Sequence, residues 1–153
     1  MVEWHKFEKY CEKIIRDSFD EKVWKISAQR RRVYADGASK RMDFHVRRRR
    51  VHEHYVFDSK YYIKSKLSTK AVRDTYEYKR RSRASRAFVL CSVETEIADS
   101  ALKLSEELNV PIIKLDYREA STRGIHYFVS KINFINKVQE EIYDDNDPWW
   151  KFW

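Results

Sequence analysis

Glycine, proline and cysteine are all scarce in this chain, with two of each among 153 residues. So few glycines leave no room for a phosphate-cradling loop or a dinucleotide fingerprint, both of which need closely spaced glycines. The two cysteines, Cys11 and Cys91, stand far apart and fit no metal or redox spacing. They read as ordinary buried thiols of a reducing, cytoplasmic protein. Long apolar runs are missing as well. No stretch approaches the roughly 18 residues of a spanning helix. The opening MVEWHKFEKY lacks the apolar centre of a signal peptide. These absences argue against a membrane protein, a nucleotide-binding α/β enzyme and a disulfide scaffold.

Charge and aromatics are plentiful. Charged residues make up 37% and hydrophobic residues 42%, a balance that suits one globular domain over residues 1–153. The formal net charge is +8 and is unevenly spread. Residues 1–90 carry 25 Lys and Arg against 12 Asp and Glu, whereas residues 91–153 carry 7 against 12. Basic clusters at Arg30 to Arg32, Arg47 to Arg50 and Lys79 to Arg81 point to a polyanionic partner.

Periodicity gives the order of elements. Trp4, Phe7, Cys11, Ile14 and Ile15 form a helical stripe over residues 3–17. Val23 to Tyr34 reads as a strand, and residues 35–41 as a loop turned at Asp36-Gly37. RMDFHVRRR and HEHYVFDSKYYI read as a hairpin. Ser68 is a candidate N-cap, with Leu67 and Val72 as a staple, for a helix running to about Ser82. RAFVLCSV and VPIIKL are buried strands around a helix near 95–108, which turns Ile97, Ala101, Leu104 and Leu108 inward. A last helix covers 126–143. The order α-β-β-β-α-β-α-β plus a C-terminal helix predicts a mixed α/β sheet, with an antiparallel start, a parallel finish and helices on both faces.

The stretch VFDSKYY, residues 56–62, carries chemistry. Asp58 and Lys60 share one face of a strand otherwise rich in aromatics. If the hairpin turns at Arg50-Val51, positions summing to 101 oppose each other. Phe44 then faces Phe57, Val46 faces Tyr55, and Asp43 faces Asp58. Two carboxylates about 5 Å apart at Cβ repel unless a cation lies between them. An all-oxygen site of this kind suits Mg²⁺, with Mn²⁺ as a substitute.

On these residues the chain resembles the PD-(D/E)xK nuclease superfamily, with its restriction-endonuclease-like fold, and within it the Mrr-type and Holliday-junction-resolvase-like branches. Asp43 in RMDFHV matches the acidic strand position, Asp58 and Lys60 in FDSKYY match the DxK, and Glu8 in HKFEKYCEKII resembles the acid of the first helix. LSTKAVRDTYEY and the following segment resemble the half that succeeds the DxK, so that the likeness spans about residues 3–116. Met42 stands where the family has its proline, and Asp58 where the Mrr-type branch has Gln. The resemblance implies a Mg²⁺-dependent DNA endonuclease with no organic cofactor. Glu8, Asp43, Asp58 and Lys60 would be catalytic, and Asp43, Asp58 and Ser59 would hold the metal. The other reading of the same fold is a nucleic-acid-binding protein without catalysis.

Several residues have alternative roles. Glu12 competes with Glu8 as the helical acid, although an i,i+4 partnership with Arg16 also suits it. His45, His52 and His54 fit no zinc spacing and are expected to face solvent or phosphate. Tyr62 can pack beside Lys60. Lys64, Lys66, Lys70, Arg73, Arg80, Arg81 and Arg83 are expected to follow the nucleic-acid backbone past the site. The C-terminal DDNDPWWKFW, with three Trp and a Phe in its last five residues, has to cover an apolar patch on its own core or at an interface. A homodimer is the expected assembly.

Overall fold

A computed structural model describes residues 3–33, 39–48, 53–118 and 124–142, and the side chains of all of these except 29–33 and 39–41. Asp36-Gly37, the Arg50-Val51 turn, His52 and the Trp-rich C-terminus lie outside the described residues. The elements are α1 (Glu3–Ser18), β1 (Trp24–Val33), β2 (Ser39–Arg48), β3 (His54–Lys60), α2 (Thr69–Ser82), β4 (Arg86–Ser92), α3 (Asp99–Leu108), β5 (Ile112–Leu115) and α4 (Ile125–Ile142). They follow the predicted order. One five-stranded sheet runs β1-β2-β3-β4-β5, antiparallel from β1 to β3 and parallel from β3 to β5.

The pleat sorts the apolar residues to two faces. Phe44, Val46, Phe57, Phe88 and Leu90 meet Phe7, Cys11 and Ile14 of α1 and Phe134 and Val138 of α4 in one buried core. Phe57 and Phe88 stack there with ring centroids 5.0 Å apart. On the other face Val89 and Cys91 pack against Ala71 and Val72 of α2 and Ala101 of α3. A sheet covered on both sides needs apolar residues at successive positions in its middle strands, and β4 is buried from Ala87 to Ser92.

The details depart from the sequence expectation in four places. Trp4 is 51% exposed and stacks on His5, while Tyr10 fills the inner face of α1 and donates to the Asp116 carbonyl at 2.9 Å. Residues 39–41 belong to β2, because pairing with β1 continues to Val33–Ser39. Ser68 holds the N-cap position of α2 without a side-chain cap bond, although Leu67 and Val72 share one core cluster as expected. Helix α3 starts at Asp99 rather than 95, since the preceding backbone is committed elsewhere. Leu67 N–H donates to the Glu96 carbonyl and Ala98 N–H to the Leu67 carbonyl, forming a one-residue parallel bridge between Leu67 and Ile97. Helices α2 and α3 both end in left-handed residues, Arg83 (φ 59°) and Asn109 (φ 53°), whose N–H groups bond back to the last turn.

A buried polar chain ties α2 to the hairpin. Tyr78 Oη lies 2.8 Å from His45 Nε2, and His45 Nδ1 lies 2.8 Å from His54 Nε2. His45 and His54 are therefore interior residues, not the solvent- or phosphate-facing ones expected. A neutral imidazole has one donor and one acceptor, so both bonds form only when protons run one way along the chain. Tyr78→Phe is expected to lower stability by about 1–3 kcal/mol, the range for depriving a buried group of its partner. Urea unfolding checks this through a lower midpoint at unchanged slope.

Candidate active site at the fork between two strands

The β2–β3 register matches the predicted arithmetic, with Phe44 opposite Phe57 and Val46 opposite Tyr55. The described pairs end at Phe44–Phe57, and Asp43 does not extend the ladder. Its Oδ2 instead accepts the Ser59 N–H at 2.8 Å and the Ser59 hydroxyl at 2.7 Å. The carboxylate occupies the place of a strand partner, and the two strands fork there. Asp43 lies on one branch and Asp58-Ser59-Lys60 on the other. On its far side this end of β3 stays paired with β4, Asp58 beside Val89 and Lys60 beside Cys91. The fork therefore sits at the carboxyl ends of the parallel strands, where open α/β sheets place their ligands.

Asp58 is only 8% exposed, and Lys60 Nζ lies 3.2 Å from its Oδ2. Burial, joined by the charge of Asp43, pushes the Asp58 carboxyl up to about 7, against the pull of Lys60. The protonated acid can also share its hydrogen with Asp43. For Lys60, burial disfavours the ammonium, but Asp58 outweighs it and the net shift is upward. Beneath the fork, the Cys11 thiol is pushed well up by burial, then by Asp43, Cys91 and Glu8. Cys91 is raised to about 11 by burial. Both cysteines are buried and free, as expected, and they border the acidic site. The β3–β4 register was the signal that could have placed Cys91 beside Lys60.

The donors fit a hard divalent cation, since two carboxylates converge and one resists ionisation at neutral pH. Among the described residues, however, no three His, Cys, Asp or Glu side chains gather closely enough to hold a metal. Glu8 is buried on α1 at 7% exposure, near enough to act on Cys11, but does not complete such a trio. Glu12 bonds Arg16 at 2.9 Å on the outside of the helix. Ser59, expected as a metal ligand, uses its N–H and hydroxyl to hold Asp43.

The basic residues divide into two groups. Lys64 and Lys66 are exposed in the connection that leaves β3, with Lys70 and Arg73 exposed on the first half of α2. Lys70 also pairs with Asp74 at 2.8 Å. Arg80, Arg81 and Arg83 do not flank the site as expected. Helix α2 runs about 20 Å at 1.5 Å per residue. It delivers the chain to Arg86, opposite Tyr55 at the other end of β3 from Lys60. There Arg80 and Arg81 pair with Glu77. Tyr62 lies close enough to act on Lys60.

In metal-free buffer Asp58→Asn is expected to stabilise the fold at pH 8 by about 2–4 kcal/mol and to change little at pH 4. The folded state holds the Asp58 proton more tightly than the unfolded chain does, so the native protein loses stability as pH climbs from about 4 to about 7. Melting curves of both proteins at the two pH values decide it, and parallel pH dependences would contradict it.

No protein-family profile and no curated protein sequence matches the chain. The solved structures that share its fold include two of TM-score above 0.5. One is the protein AF1548, of unknown function, with a TM-score of 0.54 and 14% identity, covering 74% of this chain and 61% of the other. The second is a repair endonuclease from Pyrococcus abyssi, with a TM-score of 0.51 and 15% identity, covering 76% and 49%. The chain thus spans about half to three-fifths of the lengths of these neighbours. The mixed five-stranded sheet with its flanking helices is a fold that this chain shares with a repair endonuclease.

Proposed function

We propose that the chain is a Mg²⁺-dependent endonuclease that hydrolyses DNA phosphodiester bonds at the fork. The observation that carries this reading is the buried Asp58 beside Asp43, paired with Lys60, at the carboxyl ends of the parallel strands of a nuclease-like fold. Asp43 and Asp58 would hold Mg²⁺, or Mn²⁺ in its place. The ion would polarise a phosphoryl oxygen and lower the pKa of bound water. Ser59 keeps the Asp43 carboxylate aimed at the site. Lys60 leaves its pairing with Asp58 to face the scissile phosphate, whose negative charge grows as water adds to phosphorus and the ester oxygen departs. Glu8 is the acid that α1 would contribute. Lys64, Lys66, Lys70 and Arg73 would grip phosphates beside the break. The reading includes a homodimer with one site per DNA strand. It is favoured by the row of Ile125, Phe128, Val129 and Ile132, 44–74% exposed along α4.

A specific observation favours the second reading, a binding protein without catalysis: no third His, Cys, Asp or Glu side chain gathers with Asp43 and Asp58 among the described residues. Nicking of supercoiled plasmid with Mg²⁺ separates the two. Asp43→Ala and Asp58→Ala are each expected to lower the rate roughly a thousandfold, the several kcal/mol that a metal supplies, while DNA binding persists. Lys60→Ala is expected to lower turnover about a hundredfold with little change in metal affinity. Ca²⁺ is expected to support binding with little cleavage, because its coordination is larger and looser. Full activity in Asp58→Ala would overturn the assignment.

A further inference from the structure

Past Met42 and Arg30, β1 and β2 pair only with each other. The register sets Arg31 opposite Arg41, Arg32 opposite Lys40 and Val33 opposite Ser39, so that the ribbon continues about 10 Å beyond Met42 at 3.3 Å per residue. It leaves the sheet at Asp43, on the open side of the fork, and heads past the carboxyl end of β3. Five basic residues, Arg30, Arg31, Arg32, Lys40 and Arg41, occupy this short piece with no acidic residue among them or opposite them. Like charges at opposed positions of an antiparallel pair destabilise it. Two consecutive rows of cations are therefore a liability for the free protein and an asset against a polyanion.

We propose that this ribbon takes double-stranded B-form DNA by entering its major groove, leaving one backbone of the duplex at the fork. The inference rests on the nucleic-acid reading above and narrows it to a substrate class. The major groove of B-DNA, about 12 Å wide and 8.5 Å deep, admits a two-stranded ribbon. The ribbon's two strands lie about 5 Å apart, well inside that width. The major groove of A-form RNA is deep and too narrow for side chains to read. A single strand offers no groove at all. The same cations therefore discriminate by shape, although phosphate attraction alone is indifferent to it.

The test is binding in EDTA, which removes cleavage from the readout. Fluorescence anisotropy would compare a 20-base-pair DNA duplex, the same duplex in RNA, and one DNA strand alone. The protein is expected to prefer the DNA duplex. A variant carrying Arg31→Gln, Arg32→Gln, Lys40→Gln and Arg41→Gln is expected to lose that preference, with at least a tenfold drop on duplex DNA and about a twofold change or less on the other two. Its log–log salt slope should fall by about one unit per lost phosphate contact. The melting temperature should hold or rise, since the variant removes opposed like charges. Unchanged affinity for duplex DNA, equal loss on all three substrates, or a lowered melting temperature would overturn the proposal. The pair Arg31→Gln with Arg41→Gln, expected to show the same selectivity in smaller measure, serves if the fourfold variant does not fold. Failure of the nuclease reading appears separately, as absent plasmid nicking with the duplex preference intact.

Discussion

A buried carboxylate, Asp58, shares a corner with a half-buried one, Asp43, and among the described residues Lys60 is the cation paired with Asp58; much of the molecule is arranged around that imbalance. Water would stabilise both anions, but the corner excludes it from Asp58. The protein answers with two different partners. Asp43 is fixed by an amide and a hydroxyl of Ser59, while Asp58 is met by Lys60. These partners come from one tripeptide, Asp58-Ser59-Lys60, whose alternation places its middle residue on the opposite face from its ends. The strand thus serves both acids at once. It gives up its pairing with β2 to do so, and the backbone opening and the electrostatic site share one cause.

That opening is tolerable because β3 is secured elsewhere. Its other edge stays in the parallel ladder with β4 to Lys60. Phe57 is held in the aromatic core between Phe88, Phe134 and Phe19. The Tyr78–His45–His54 chain anchors the hairpin to α2 at the closed end. The site is therefore unpaired toward β2 and held through β4, the aromatic core and the polar chain, an arrangement that positions its charges. No helix among the described residues is long and apolar enough to cross a membrane.

Most of the fold was legible because hydrophobic period and element length agree in every long segment. The hairpin register was legible for a stronger reason: a slip of one residue would set Phe44 and Val46 against the wrong face of Tyr55 and Phe57, and the expected Arg50-Val51 turn selects among the rest. What escaped was competition between side chains and backbone. Asp43 was expected opposite Asp58, but a carboxylate within reach of an N–H and a hydroxyl outbids a ladder bond. The α3 boundary moved because Leu67 claims the backbone of Glu96 and Ala98, a contact between segments some 30 residues apart. The histidines looked like surface residues until Tyr78, on another element, supplied their partner. Arg80, Arg81 and Arg83 end the helix that follows the DxK strand in sequence, yet α2 carries them to the opposite end of β3 from Lys60.

The scarcity of glycine acquires a thermodynamic meaning at the ends of α2 and α3. Both helices stop in the left-handed region, where a glycine fits without strain and most other residues are disfavoured by roughly 1–2 kcal/mol. Asn109 tolerates that conformation, but Arg83 has no such excuse. What offsets its strain lies partly outside the folded state. A chain with few glycines has fewer backbone conformations to surrender on folding, so a side chain at this position also narrows the denatured ensemble. It places a guanidinium at the negative end of the α2 dipole as well. In this protein the unfolded chain, and not only the native contacts, helps to set the stability of the helix end.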